Sequence, residues 1–104
     1  MENNKYELKI FPLAQQDMEQ IFDYIAVELC NPTAAIGQIN DFEKALENVC
    51  VFPESYPYIN NEYVKDKSLR KLMVNNYIVF YRIKENEIQV IRVLYGMRNY
   101  ESLL

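Results

Sequence analysis

Hydrophobic residues recur with two different periods in the first part of the chain. The segment KYELKIF at positions 5–11 alternates apolar and charged side chains, which is typical of a short half-buried strand. After Pro12, which suits the first turn of a helix, apolar residues recur at steps of three and four. This spacing predicts an amphipathic helix that ends near Leu29. Its apolar stripe comprises Met18, Ile21, Phe22, Ile25 and Leu29.

A second helix is predicted directly after the first. Asn31 is a good N-cap and Pro32 fits the first helical position. The apolar stripe then continues to Val49, and Pro53 ends the helix. That stripe comprises Ile36, Ile39, Phe42, Leu46 and Val49. The break between the two helices is so short that we predict an antiparallel helical hairpin.

The last third of the chain reads as three strands, near residues 69–74, 77–83 and 88–95. The turns NN and KEN between them are short, so neighbouring strands pair antiparallel. The fold class is therefore α+β in a single domain, residues 1–104. It has an N-terminal strand, an antiparallel two-helix hairpin, and a three-strand antiparallel meander that completes one sheet.

Apolar side chains occur on both faces of the last two strands. In the third strand Phe80 and Val79 project to opposite faces, and in the last strand Val90 and Ile91 do the same. Two helices cover only one face of a sheet, so we expect an open apolar face that binds a partner. The alternative is that the loop at 53–68 folds over this face.

Composition and charge narrow the function classes. The chain of 104 residues has a net charge of −4 and no histidine. This absence excludes Ser–His and Cys–His nucleophiles and the usual zinc sites with histidine ligands. Glycine-rich phosphate loops and paired carboxylates are also absent. We therefore expect neither a metal nor a cofactor.

The charge is distributed unevenly along the chain. Residues 1–54 hold ten acids and three bases, whereas residues 55–104 hold five acids and eight bases. The basic second half is compatible with an acidic partner, although the whole protein is acidic. No apolar run approaches the ~20 residues of a membrane span, and the N-terminus lacks the pattern of a secretory signal. We expect a cytoplasmic protein in which Cys30 and Cys50, at opposite ends of the hairpin, form no disulfide.

All four arginines lie in the apolar segment from 69 to 99. They are Arg70, Arg82, Arg92 and Arg98. A core has little use for unpaired guanidinium groups, so we expect these side chains to contact a partner or to take part in chemistry.

The runs RKLMVNNYIVFYRI and VIRVLYGMRNYESLL, preceded by the helical pair and FPESYP, resemble the RelE/ParE superfamily of type II toxin–antitoxin toxins. The resemblance covers essentially the whole chain and implies the same α+β fold. It also implies a toxin that a small cognate antitoxin, encoded beside it, neutralises. RelE-like members are ribosome-dependent mRNA endonucleases, and ParE-like members inhibit DNA gyrase.

The position-by-position match favours the ParE-like branch. Aligned on Tyr77, the second-strand arginine of RelE-like nucleases falls on Met73, and their C-terminal catalytic tyrosine falls at or near Leu104, although Tyr100 lies close to that position. The ending I-R-V-L-x-G-x-R looks more like ParE, although that branch often has histidine where this chain has Tyr95. Glu–His nucleases are excluded because histidine is absent.

The resemblance implies three sets of residues. In the nuclease alternative, the catalytic residues are Arg98, Arg70, Lys71 and Tyr100. For a gyrase inhibitor, the target-binding residues are Tyr95, Arg98 and Tyr100. The expected antitoxin-binding residues on the open face are Phe80, Arg82, Val90 and Arg92. A degenerate member that only binds its antitoxin is a third possibility.

Overall fold

The protein is described by a computed structural model that covers residues 6–97 and 99–104. The strands and helices follow the predicted order, with a π-helical turn at Tyr24–Glu28 and a short 3-10 helix at Glu101–Leu103. The longer elements are β1 (Glu7–Ile10), α1 (Pro12–Asp23), α2 (Pro32–Val51), β2 (Arg70–Val74), β3 (Tyr77–Lys84) and β4 (Glu87–Tyr95).

The helix starts follow the local sequence. Pro12 begins α1, and the side chain of Asn31 accepts a hydrogen bond from the Ala34 N–H at 3.1 Å to cap α2, as predicted. The first helix differs from the expectation because its last part is the π-helical turn. Each π-helical bond spans one residue more than an α-helical bond. Leu29 is therefore rotated off the apolar stripe and is 55% exposed.

The four strands form one sheet in the order β1-β4-β3-β2. The meander β2-β3-β4 is antiparallel, as predicted, and β1 pairs parallel to β4 at the edge. The β3–β4 register shifts between Phe80 and Tyr81, whose partners are Arg92 and Val90. Ile91 is thus an extra residue in β4, and such a bulge bends the strand.

The helices cover one face of the sheet. Phe42, Leu46 and Val49 of α2 pack in the same core as Val79 of β3 and Val90 of β4. The predicted stripe of α2 is correct except at its start, because Ile36 is 54% exposed.

The other face of the sheet is also covered, so the prediction of an open apolar face is wrong. The loop at 53–68 supplies Ile59 and Val64, and the C-terminal segment supplies Tyr100, Leu103 and Leu104. Together they bury the second cluster, which contains Phe80 at 0% exposure. The alternative expectation, that the loop folds over this face, is correct.

The loop is attached to the first core by the Tyr81 hydroxyl. This buried group donates a hydrogen bond of 2.6 Å to the carbonyl of Pro53. Burial raises the pKa of Tyr81 to about 12, and the positive charge of Arg70 offsets only part of that rise. Tyr81 therefore stabilises the fold in its neutral form.

Alkaline pH will weaken the fold through Tyr81. The unfolded chain loses this proton near pH 10, whereas the folded chain keeps it to about pH 12. The stabilisation is complete below pH 10, and about 3 kcal/mol is lost as pH rises through that window. Guanidinium denaturation of the wild type and Tyr81→Phe across this range measures the effect. An equal loss in Tyr81→Phe would contradict the assignment.

Both cysteines are free, as predicted; Cys30 is exposed and Cys50 is buried. Burial, with a smaller contribution from Glu47, raises the pKa of the Cys50 thiol. Among residues 6–97 and 99–104, no helix is long and apolar enough to cross a membrane.

Candidate functional site

Arg70 attaches the start of the 53–68 loop to the sheet. Its Nη1 donates to the carbonyl of Tyr56 at 2.7 Å, and its guanidinium lies 4.0 Å from the centre of the Tyr58 ring. Tyr58 also forms an isolated antiparallel β-bridge with Arg70, the first residue of β2. The guanidinium is therefore engaged inside the protein.

Arg82 attaches the end of the same loop. Its Nη1 forms a salt bridge of 2.7 Å with Asp66, and its Nε donates to Gln89 at 2.7 Å. Ser68 hydrogen bonds, with a smaller contribution from Arg82, hold the pKa of Asp66 below its usual value. Both members of the salt bridge are about one-third exposed, so the pair contributes more to loop position than to stability.

Arg92 is more enclosed than Arg82, with side-chain exposures of 14% and 29% respectively. Its Nε and Nη2 donate to the two oxygens of Asp17 at 2.7 and 2.8 Å, and its Nη1 donates to the Leu103 carbonyl at 3.3 Å. The Asp17 carboxylate also accepts the Val93 N–H at 2.9 Å. The hydrogen bonds to Asp17 raise the pKa of the Arg92 guanidinium.

The contacts of Asp17 follow from the length of β1. This strand pairs with β4 only as far as Val90, so the edge of β4 beyond it needs another acceptor. α1 begins at this point and carries Asp17 to the Val93 N–H. The Asp17 carboxylate thus accepts a backbone N–H at the edge of β4 and also pairs with the Arg92 guanidinium beside it.

The predicted nuclease residues are not assembled into one site. Arg70 and Lys71 are consecutive in β2, so their side chains project to opposite faces of the sheet. Tyr100 packs on Phe80, the cross-strand partner of Lys71, with ring centres 4.9 Å apart. Lys71 and Tyr100 therefore share a face from which Arg70 is absent. Arg98 lies outside the described residues.

The predicted antitoxin-binding residues are also occupied within the free chain. Phe80 and Val90 are each 0% exposed, in the second and first clusters respectively. Arg82 and Arg92 form the internal salt bridges described above. None of these four side chains offers a free apolar contact or an unpaired cation at the surface.

The end of the sheet carries exposed side chains at Tyr95 and Met97, which we call the Tyr95 surface, and at Met73, which projects to the opposite face of the sheet from Tyr95. Tyr95 is 49% exposed, Met73 57% and Met97 83%. The backbone between Tyr95 and Met97 lies against the β2–β3 turn, because the Gly96 N–H donates to the Asn76 carbonyl at 2.8 Å. A Cβ at Gly96 would lie only 3.2 Å from that oxygen.

A cleft of about 530 Å³ adjoins the Tyr95 surface. The rings of Tyr77 and Tyr95 meet edge to face in it at 6.0 Å, and Tyr24 of the π-helical turn completes its aromatic lining. Burial, followed by the nearby Tyr24 and Tyr95, raises the pKa of Tyr77. Three aromatic side chains in a cleft at the exposed end of the sheet make this end suited to a protein contact.

The sequence does not predict the roles of three residues: Asp17, Asp66 and Tyr24. The hydrophobic period does not distinguish Asp17 or Asp66 from other acidic residues. Asp17 nevertheless lies between Ala14 and Met18 on the buried side of α1, and a carboxylate in such a position is expected to be paired. Tyr24 gave no signal because its position depends on the π-helical turn. In the part of the chain that the structure describes, no three acidic or cysteine side chains are grouped as metal ligands would be.

Comparison with known proteins connects this geometry to a family. Residues 8–100 match the model of a family described as the ParE toxin of type II toxin–antitoxin system, parDE. Among curated proteins, none matches the chain.

Solved structures share the fold. A chain of the chromosomal ParDE system from P. aeruginosa is 21% identical, with a TM-score of 0.73 over 88% of this chain and 97% of that one. A chain of the RelBE2 complex from Mycobacterium tuberculosis is 15% identical, with a TM-score of 0.60 over 88% of this chain and 98% of that one. A chain of the RelE–RelB complex from Pyrococcus horikoshii is 15% identical, with a TM-score of 0.59 over 91% of this chain and 99% of that one. The predicted RelE/ParE-like fold is confirmed.

Proposed function

This chain belongs to the ParE toxin family of type II toxin–antitoxin systems, and on that premise we propose that it inhibits DNA gyrase and is neutralised by a cognate antitoxin encoded beside it. The observation that carries the proposal is the family match, which spans residues 8–100 of 104. The toxin would arrest growth by binding its target as a protein ligand.

The placement of the cations supports binding over phosphate cleavage. An endonuclease must stabilise negative charge on the scissile phosphate with preorganised cations. Here Arg70, Arg82 and Arg92 are engaged with internal acceptors, and Lys71 projects to the opposite face of the sheet from Arg70. A gyrase inhibitor needs no such cluster.

The Tyr95 surface supports a protein target. Tyrosine and methionine are enriched in protein interfaces relative to the rest of protein surfaces. Tyr95 and Met97 are exposed at the end of β4, and the close approach of Gly96 to the Asn76 carbonyl fixes the backbone between them. We propose that this surface, together with Arg98, contacts gyrase; Tyr100 packs against Phe80 on the opposite face of the sheet from Tyr95.

An antitoxin partner is supported by the kind of system to which the family belongs. Structures with the same fold carry the names of ParDE and RelB–RelE pairs. Such a partner would keep the toxin inactive until the antitoxin is removed.

The target can be tested with purified gyrase and with programmed ribosomes. We expect the free wild-type toxin to block supercoiling and to leave message intact. Tyr95→Ala and Arg98→Ala should each raise the inhibitory concentration by about 30-fold or more, since truncating a central interface residue costs ~2 kcal/mol or more. Tyr63→Ala is the matched control, because Tyr63 is an exposed tyrosine of the 53–68 loop.

Three outcomes are informative. Message cleavage by the wild type that is lost in Arg98→Ala would replace gyrase inhibition by the nuclease function. Inactivity in both assays would favour a degenerate member that only binds its antitoxin. Equal loss of gyrase inhibition in Tyr63→Ala would show that the Tyr95 surface is not the contact.

A further inference from the structure

The outer side of β1 has no strand beside it. β1 lies at one end of the sheet and pairs only with β4, in the parallel register that runs from Glu7↔Glu87 to Ile10↔Val90. Within residues 6–97 and 99–104, no other strand pairs with its outer side, which we call the β1 edge. An edge of this kind presents unpaired backbone groups to which a strand of another chain can bind.

The hydrogen bonds to β4 decide which backbone groups of β1 point outward. The N–H groups of Glu7 and Phe11 donate at 2.8 and 3.0 Å to carbonyls of β4 and of the residue before it. Because backbone groups alternate in direction along a strand, Lys9 also faces β4, whereas Leu8 and Ile10 point their N–H and C=O groups outward. Leu8 is therefore at the centre of the β1 edge.

The β1 edge carries an exposed apolar side chain between two opposite charges. Leu8 is 42% exposed, and Glu7 and Lys9 on either side of it are exposed as well. Neither Glu7 nor Lys9 forms a salt bridge within the part of the chain that the structure describes. The order acid, leucine, base is self-complementary when two such strands run antiparallel.

We infer that the β1 edges of two copies of this chain pair antiparallel and form a dimer with one continuous sheet of eight strands. In the register centred on Leu8, the Leu8 N–H of each copy donates to the Leu8 carbonyl of the other. Each Glu7 then lies opposite Lys9 of the second copy, in two symmetric pairs. Opposite charges directly across an antiparallel pair stabilise it, and like charges destabilise it. The dimer requires neither gyrase nor an antitoxin.

Charge and backbone direction select this register. A lysine in an edge strand normally discourages pairing with another chain. Registers centred on Glu7 or on Lys9 would place like charges opposite each other and would require backbone groups that already face β4. The register centred on Leu8 avoids both problems, because it brings Lys9 to Glu7 and uses only the outward groups.

The dimer leaves the Tyr95 surface free. β1 pairs with β4 only as far as Val90, and Tyr95 lies five residues further along β4. At ~3.3 Å per residue, Tyr95 is roughly 16 Å beyond the end of that pairing. The dimer therefore presents two Tyr95 surfaces at once, which increases avidity for a target that has two matching sites.

Sedimentation of the free full-length toxin over a range of concentrations tests the dimer. Only two short strands and their adjoining side chains meet, so the interface lies below the ~1,200 Å² of stable complexes and association is weak. We expect the wild type to shift from monomer to dimer as its concentration rises to about 1 mM. Hydrogen exchange locates the contact, because the Leu8 amide becomes protected only when the β1 edges pair.

Charge variants at Glu7 and Lys9 give the decisive comparison. Glu7→Lys or Lys9→Glu alone makes both cross-strand pairs like-charged and should raise the dissociation constant of the dimer by about 10-fold or more. The double variant, Glu7→Lys with Lys9→Glu, restores opposite charges and should dimerise like the wild type. An equimolar mixture of the two single variants should form mixed dimers for the same reason.

Glu62→Lys and Lys65→Glu are the matched controls. Both residues are exposed and lie in the 53–68 loop, away from the β1 edge, and the two substitutions change the net charge as the single β1 variants do. We expect each control to dimerise within about 2-fold of the wild type, because surface charges away from the interface contribute little. Circular dichroism checks that every variant is folded.

Three results would overturn the inference. The first is a wild type that stays monomeric up to about 1 mM. The second is equal dimerisation of the β1 variants and the controls, which would place the interface elsewhere. The third is protection of the Leu8 amide that appears only after addition of the protein encoded by the neighbouring reading frame, which would make the antitoxin the occupant of the β1 edge. None of the three bears on gyrase inhibition, which is assayed separately.

Discussion

Asp17→Ala will lower the free energy of unfolding by about 3–5 kcal/mol, because it leaves the enclosed Arg92 guanidinium without its partner. The Asp17 and Arg92 side chains are only 9% and 14% exposed, so water can replace few of the hydrogen bonds that Arg92 loses with Asp17. The variant also removes the acceptor of the Val93 N–H at the edge of β4. Urea denaturation measures the change.

The matched control is Asp23→Ala, on the same helix. Asp23 is exposed, so its removal should change stability by no more than about 0.5 kcal/mol. Combining Asp17→Ala with Arg92→Met should recover part of the lost stability, because the uncompensated charge is then absent. Equal stability of Asp17→Ala and Asp23→Ala would contradict the buried pair.

Phe80→Ala is expected to cost about 3–5 kcal/mol, the usual cost of truncating a fully buried phenylalanine. Phe80 is 0% exposed and packs against the Tyr100 ring at 4.9 Å. Loss of this ring should release the C-terminal segment before the rest of the fold. Chemical denaturation gives the total loss, and hydrogen exchange at residues 100–104 reports the local release.

Phe52→Ala serves as the control because Phe52 is 58% exposed. A cost for Phe80→Ala no larger than that for Phe52→Ala would mean that the C-terminal segment does not cover the sheet. The result also bears on antitoxin binding. Weaker binding by a Phe80 variant cannot be read as a lost contact while the residue is buried in the free chain.

The arginines show how strong cations become part of an apolar sheet. Arg70 and Arg82 attach the 53–68 loop through a carbonyl and a carboxylate, and Arg92 joins α1 and the C-terminal segment to β4. A guanidinium suits this role because it presents several donors in a fixed plane. The irregular segments that cover the second face are thus attached by hydrogen bonds as well as by apolar packing.

Local patterns were sufficient for the elements and the fold class. The apolar run at Tyr77–Lys84, the N-cap Asn31 and the short turns each depend on neighbours in sequence, and the structure agrees with all of them. Family membership was also readable, because its two motif runs lie close together in the chain. The exception is the π-helical turn, which displaced Leu29 from its predicted face.

The candidate site depended on distant residues and could not be read in the same way. Nothing near Arg92 in sequence indicates that its partner is Asp17, 75 positions earlier. The separation of Arg70 from Tyr100 depends on strand pairing and on the path of the C-terminal segment. A cleft of about 520 Å³ lined by α1 and α2 likewise depends on how the two helices pack together.

The sequence by itself determined the α+β fold, the two helices, the antiparallel meander and the family. These follow from residue period, caps and turns, which act over a few positions. Only the tertiary structure decided that the loop and the C-terminal segment cover the second face and that Arg70, Arg82 and Arg92 are engaged internally. Each of those features depends on which remote segments meet, and contact between remote segments is set by packing of the whole chain.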